Sequence, residues 1–484
     1  MSEVSLKEKT AKGLLWGGFS NGIQQLLNLF FGIFLARLLT PDDYGMVGML
    51  TIFSTLAGTL QESGFTAALA NKRHITHDDY NAVFWYSLFM GITLYSLLFF
   101  SAPFIARFYH QPQLVPLARY VFLGFLISCT ATAHHAYLFR NLMVKQKTQA
   151  QVPALLLSGI VGVAMAYHGM SYWGIATQSL VFIATVNLSF WYYSPWRPTL
   201  PKNFRPLKEM FGFSNKILIT NIFIQMNNNL LSALMGRFFP ASEVGYYTQS
   251  NKWNTMGHSL VSGTLTSVAQ PVLAEVASQP QRQLHVLRKM LRFTAFLAFP
   301  TMLGLALISH ELILITITDK WLPCVPILQA LCMWGAVVPI NTLFSNLLIS
   351  KGKSNIYMWN VIFLNLTQLG LILLSYPYGI QSMIQGIVCL NIGWLFVWQY
   401  FVWKEIRLSL WYTLKDILPF ALITVFCLSA TWIVTHEINN IYLRLFAKIF
   451  TASILYILWM WGTKSVIFKE ILQFILPKSG LVKK

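Results

Sequence analysis

Asn21, Gln25 and Asn28 are spaced i, i+4, i+7, so on a helix three amides share one face. Two hundred residues later Asn221, Gln225 and Asn228 repeat the pattern, and Asn227 and Asn229 widen it. An amide offers donors and acceptors together, which suits a ligand rich in hydroxyls. The surroundings are apolar and lipid does not solvate amides, so both faces should point toward protein or a water-filled cavity. They either tie helices together by hydrogen bonds or line a cavity. Their equivalence favours the cavity, because matching faces of two lobes meet at a symmetry axis.

Ionisable groups within apolar segments are few: Glu62, Arg119, Lys216, Lys252, His134, His135 and His258. A charge at membrane depth is expensive, so each is a site candidate. Lys252, in "YYTQSNKWNTMGH", is the strongest. Lys216 stands near a span end and has the option of snorkelling to the surface; Arg119 is near the other end of its span. Glu62, in "QESGF", is the acid placed well inside a span. It either pairs with a cation such as Lys216 or Arg140, or changes protonation during a transport cycle. His134 and His135 are adjacent and point about 100° apart on a helix. Two metal-binding histidines on a helix want i, i+4. The five cysteines form no C-x-x-C and read as small buried hydrophobes. No metal site and no disulfide framework is expected. With no glycine-rich nucleotide loop and no Ser/His/Asp spacing, no enzyme chemistry is expected. Any pumping must draw on an ion gradient, H+ or Na+, or on the substrate's own gradient.

The elements that carry these residues are membrane helices. Of 484 residues, 55% are hydrophobic and 11% charged, with a mean hydropathy of +0.55, against about 25% charged in a soluble globule. The depletion runs the whole length, so the chain is expected to be an all-α polytopic membrane protein. Windows of about 20 apolar residues give fourteen candidate spans. The net charge of +19 is not a nucleic-acid signal. Its lysines and arginines sit in short runs in alternate loops, which orients the chain with both termini in the cytoplasm. The polar N-terminal segment has no A-x-A cleavage site, so no removable signal peptide is expected. The loops on the outer side are short.

At an offset of 200, Arg37 also meets Arg237 and Gly45 meets Gly245. Six spans separate the copies, an even number, so the repeat is parallel with its axis along the membrane normal. The expected lobes are 1–193 (spans 1–6) and 212–402 (spans 7–12), joined by a Pro- and Arg/Lys-rich cytoplasmic linker, 194–211. Residues 403–484 hold spans 13 and 14 and a basic tail. Arg37 and Arg237 are read as structural hairpin tips, cations at helix C-termini. Thr40, Pro41 and Asp42 read as cap, first turn and acidic partner of span 2; Ser242 and Glu243 are expected to do the same for span 8.

The run "GLLWGGFSNGIQQLLNLFFGIFLARLLTPDDYGMVGML", followed by "ESGFTAAL", "NAVFW" and "APFIARFYHQPQL", resembles the polysaccharide-transporter branch of the multidrug/oligosaccharidyl-lipid/polysaccharide exporter superfamily. Within it, the lipopolysaccharide or colanic-acid exporter type is the nearest. The likeness is clearest over residues 10 to 140. It implies two six-helix lobes facing a central cavity lined by spans 1, 2, 7 and 8, and alternating access. It implies a polyprenyl-pyrophosphate-linked oligosaccharide as substrate, moved across a bacterial inner membrane, with polysaccharide polymerase machinery as a partner. Lys252, Lys216 and Arg119 are then the candidates for the pyrophosphate, and the two amide stripes for the sugars. Two other functions fit a polytopic chain less well. A cation-coupled drug exporter needs an acidic site, and Glu62 alone serves. A membrane glycosyltransferase or polymerase needs a catalytic acid or a sizeable outer loop.

Overall fold

The computed structural model describes residues 3–463, apart from 73, 142, 202 and 203, together with 467 and 468; the side chains of 3–20 and of several later helix positions, Lys216 among them, lie outside that description. Among the described residues the chain is helical, with no strand. The helices are α1 (Glu3–Leu38), α2 (Pro41–Glu62), α3 (Phe65–Asn71), α4 (His77–Tyr109), α5 (Leu114–Val121), α6 (Leu123–Ser128), α7 (Thr132–Arg140), α8 (Val144–Tyr167) and α9 (Trp173–Tyr193). There follow α10 (Arg205–Phe238), α11 (Ala241–Glu275), α12 (Pro280–Ile317), α13 (Cys324–Gly335), α14 (Val338–Ser350), α15 (Ser354–Ser375), α16 (Ile380–Ile406), α17 (Leu410–Thr435) and α18 (Ile441–Gly462).

Among the described residues, nine helical segments are long and apolar enough to cross a membrane, or ten if the bent stretch Leu114–Ser128 plus Thr132–Arg140 is one span. Length and apolarity alone thus support nine or ten spans, against the fourteen expected. The four long helices outside that set are α1, α2, α10 and α11. They are the helices whose apolar character is diluted by the amides, Glu62 and Lys252.

Contacts group residues 1–248 and 249–484 into two compact units. In the first, α1 packs on α8, α8 on α9, and α10 along α2 and against α4. The stretch after α9 is a strap rather than a free linker. Trp85 Nε1 donates to Thr199 O at 2.7 Å, and Thr199 N donates to Asn81 Oδ1 at 3.0 Å. Trp196 is buried there beside Tyr80 and Phe84. Nearby, Lys72 reaches Asp79 at 2.6 Å and Glu209 at 3.2 Å. Partial burial opposes the Lys72 charge, but the two carboxylates outweigh it and hold its pKa above the ordinary lysine value.

In the second unit α12 is the central post, packed against α13, α17 and α18. Ion pairs fasten α17 and α18 to it near both ends. Arg288 meets Asp416 at 2.6 and 3.1 Å, and Lys448 meets Glu311 at 2.7 Å. Between them Tyr456 Oη donates to Phe296 O at 2.9 Å. Lys448 is buried, its ammonium paired with this carboxylate.

Candidate functional site

The hairpin tips come first, because they set the register of the polar helices. Thr40 caps α2: Asp43 N donates to Thr40 Oγ1 at 3.3 Å, and Thr40 N donates to Asp43 Oδ2 at 2.8 Å. The acidic partner is therefore Asp43 rather than Asp42. With Pro41 first in the helix, Asp43 holds the third position that a reciprocal capping box requires. At the second tip α11 already begins at Ala241, so Ser242 lies within its first turn and Glu243 complements the helix dipole there. Arg237 donates to Phe108 O at 2.7 Å, bonds His110, and lies over the Phe108 ring. Arg37 ends α1, exposed.

The two tips cross each other. A β-carbon built on Gly45 would lie 1.8 Å from Ala241 O, and one on Gly245 would lie 1.9 Å from Pro41 O. Residue 241 is residue 41 shifted by 200, so the two contacts exchange under the repeat. The recurrent glycines are thus explained: each lets one helix backbone rest on the other, which no larger residue permits. One turn further on, Gly48 meets Thr248 Oγ1.

Away from the crossing the faces open. On α1 the stripe residues Asn21, Gln25 and Asn28 are exposed, while Gly32, Leu35 and Leu39 on the same face are buried. On α10 Asn221 and Gln225 are half-buried and Asn228 exposed, while Met235 and Gly236 are buried. Among these residues of the first unit, the end at the hairpin tips is closed and the N-terminal end is accessible. The side chain of Asn227 lies outside the described residues. Asn229 Nδ2 donates to Gln225 O at 2.9 Å and lies 3.4 Å from Thr55 Oγ1.

Gln225 also walls a cavity of about 450 Å³ with residues of α2, α6, α7 and α9. Two helix breaks shape it. The expected continuous span 2 is interrupted at Ser63 and Gly64, both at positive φ (47° and 68°), which leaves Glu62 at the end of α2 in the cavity wall. Span 4 bends by 49° between α6 and α7. Its freed carbonyls are taken up by α9: Trp191 Nε1 donates to Thr130 O at 3.0 Å, and Asn187 Nδ2 donates to Ile127 O. Broken membrane helices are tolerated where neighbours satisfy the backbone in this way. The wall also carries Thr55, Thr59, Gln61, Ser128 and His135. Thr59 Oγ1 donates back to Thr55 O at 2.8 Å, so its lone pairs stay open to accept. His135 stacks on Phe190.

Glu62 is exposed, at the end of α2; Arg140 donates to Leu69 O at 2.6 Å. Lys252 is half-buried on α11 in the second unit, with no ion-pair partner among the described residues. Lys216 falls on α10 with its side chain outside the described residues. Arg119 is held on α5, 4.2 Å from the Phe99 ring centroid and 3.4 Å from Phe99 O, away from the 450 Å³ cavity. His134 is buried between Trp191 and Trp196.

A polar cavity beside broken helices is a transporter's feature, and comparison with known proteins specifies which kind. The sequence profile described as "Polysaccharide biosynthesis protein" matches residues 34–326, more than half of the chain. The chain belongs to this family. It is 24% identical over 366 residues to the lipopolysaccharide biosynthesis protein WzxC of Escherichia coli (strain K12), covering 74% of this chain and 73% of that one. It is 22% identical over 396 residues to the teichuronic acid biosynthesis protein TuaB of Bacillus subtilis (strain 168), covering 81% and 80%. The fold matches that of the lipid II flippase MurJ in an inward closed conformation, with a TM-score of 0.77 at 14% identity over 95% of this chain and all of that one. An inward-facing multidrug resistance MATE family transporter of the MOP superfamily matches with a TM-score of 0.65 at 15% identity, over 79% and 94%. The family member therefore has the MurJ/MATE transporter fold, as the resemblance implied.

Proposed function

We propose that this protein moves a polyprenyl-pyrophosphate-linked oligosaccharide across a bacterial inner membrane by alternating access, for assembly of a surface polysaccharide or lipopolysaccharide. The observation that carries the reading is the polar wall of the first unit: neutral amides and hydroxyls, one acid, and access from the N-terminal end. Neutral groups that both donate and accept suit sugar hydroxyls. Family membership and the named relatives' roles in polysaccharide biosynthesis point the same way. In this reading both termini are cytoplasmic, the hairpin tips close the outer side, and the accessible end receives substrate from the cytoplasmic leaflet. Asn21, Gln25, Asn28, Asn221, Gln225 and Asn228 take the glycan. Lys252 and Lys216 take the pyrophosphate, with Arg119 a more distant candidate. Glu62, in the cavity wall, is the group through which H+ or Na+ coupling would act. The polymerase that consumes the exported unit is the expected partner.

Cells lacking the protein should accumulate a complete polyprenyl-pyrophosphate glycan while the surface polymer is missing, as mass spectrometry of a lipid extract would read. A truncated glycan would point to a transferase instead, and an unchanged profile would turn attention to another cargo. The cavity assignment has its own test. With the exposed native Cys389 replaced, cysteines at Gln25 and Gln225 should react with a water-soluble thiol reagent delivered to the cytoplasmic face, and added substrate should slow both reactions. Protection of both in the absence of substrate would assign the stripes to helix packing.

A further inference from the structure

A second charged cavity lies within residues 249–484. Its volume is about 330 Å³, and it sits where α12 and α17 end and α18 begins. Glu311, Arg444, Lys448, His310 and His436 wall it. Glu311 is buried, and one of its carboxylate oxygens meets both cations, Lys448 Nζ at 2.7 Å and Arg444 Nε at 2.9 Å. Lys448 also donates to Leu307 O at 3.1 Å, so two of its three N–H groups are engaged and Arg444 is engaged less. Arg444 Nε lies 2.9 Å from the carboxylate as an ion pair without hydrogen-bond geometry, and its two terminal nitrogens are left for another partner. The second Glu311 oxygen is buried without a hydrogen-bond partner among the described residues. Within the wall two cations face one carboxylate, and Glu437 stands outside it, exposed, 3.9 Å from His436 Nε2, so the wall itself carries a surplus positive charge.

Two surroundings indicate what answers that charge. Trp432, 53% exposed, walls the cavity, and Tyr442, 60% exposed, stands in the first turn of α18 two residues before Arg444; exposed Trp and Tyr mark the membrane–water interface. The charged cavity therefore lies at headgroup level. Leu307 and Lys448 also wall an adjoining cavity of about 320 Å³ lined by Pro300, Leu428 and Ile449. A cationic chamber opening beside an apolar one fits an amphiphile rather than a free ion.

We propose that this pair of cavities binds an anionic phospholipid, of the outer leaflet under the orientation proposed above. The phosphodiester pairs with the free fork of Arg444, and an acyl chain lies in the apolar cavity. Arginine holds phosphate bidentately, and basic pockets between membrane helices bind lipid headgroups. The unpartnered Glu311 oxygen accepts from a headgroup hydroxyl, which a glycerol headgroup supplies. This gives α17 and α18, which stand outside the repeat, a ligand of their own, whatever the cargo of the transporter.

The full chain, purified in detergent, would be examined by native mass spectrometry with dioleoyl phosphatidylglycerol, dioleoyl phosphatidylcholine and sodium phosphate as separate probes. Both lipids carry the phosphodiester, but the choline ammonium is repelled by the cations and offers no hydroxyl to Glu311, so wild type should retain phosphatidylglycerol roughly tenfold more tightly than phosphatidylcholine. Arg444→Gln should erase that preference, and Arg444→Lys should restore part of it. Arg444→Gln leaves the Lys448–Glu311 pair intact, and an unchanged melting temperature would show that the fold holds. Equal preference in wild type and Arg444→Gln overturns the site. Displacement of the lipid by an equal concentration of inorganic phosphate overturns the lipid as its ligand.

Discussion

Gly45→Ala should reduce transport more than tenfold while the protein still reaches the membrane. The added methyl carbon would lie 1.8 Å from Ala241 O and 2.5 Å from Ala241 C. A carbon–oxygen contact needs about 3.3 Å, so the helices must part by roughly 1.5 Å. The obstacle is backbone, and no rotamer change relieves it. Under the proposed orientation this crossing is the outer closure, and forcing it apart favours the outward-open state. Gly245→Ala should give the same phenotype, because its β-carbon meets Pro41 O at 1.9 Å in the exchanged contact. Gly263→Ala, on the same helix α11 with open space at its β-position, should be silent. The direct measurement is thiol labelling of a Gln225→Cys protein from the outside of intact cells. Labelling should rise in the Gly45→Ala background. Full transport with unchanged labelling would mean that the crossing is not a gate.

The repeat that relates the two glycines was readable because it rests on polar residues in apolar surroundings, where an amide or a glycine at a fixed offset stands out. The helical stripes were readable for the same reason. The Gly45–Ala241 contact was not, since nothing in a one-dimensional offset says whether equivalent residues meet or stand apart. Nor were the threonines of the cavity legible. Thr55 and Thr59 give their hydroxyl protons back to their own helix, and in sequence they read as ordinary β-branched members of a span. The break at Ser63–Gly64 hid inside an apolar window, so Glu62 was expected in mid-span rather than at a helix end. The pairings of Arg288 with Asp416 and of Lys448 with Glu311 join residues more than a hundred positions apart. Composition carries no information on which helix a side chain will meet.

Lys252 carries the other large effect. Gly245, Thr248 and Lys252 are spaced i, i+3, i+7, so they share a helix face. Lys252 lies about 10 Å from Gly245 along α11 at 1.5 Å per residue. Its neighbours Gln249 and Asn254 are buried, each with a side-chain oxygen that has no hydrogen-bond partner among the described residues. An ammonium at this depth without a fixed counter-charge is costly to keep. A mobile anion arriving with each cycle answers that cost, and pyrophosphate on a lipid carrier is such an anion. Lys252→Ala should therefore lower flipping of a lipid-linked pyrophosphate by roughly 10- to 100-fold, the range expected for one lost bond to a charged group. Lys252→Arg should keep part of the rate, since the charge survives but its geometry changes. A reconstituted assay separates this from mere destabilisation. If the lysine meets the pyrophosphate, the Ala variant should lose its preference for pyrophosphate- over monophosphate-linked lipid, whereas a structural defect would slow both alike. Full activity with an unchanged preference in Lys252→Ala would remove this residue from the site.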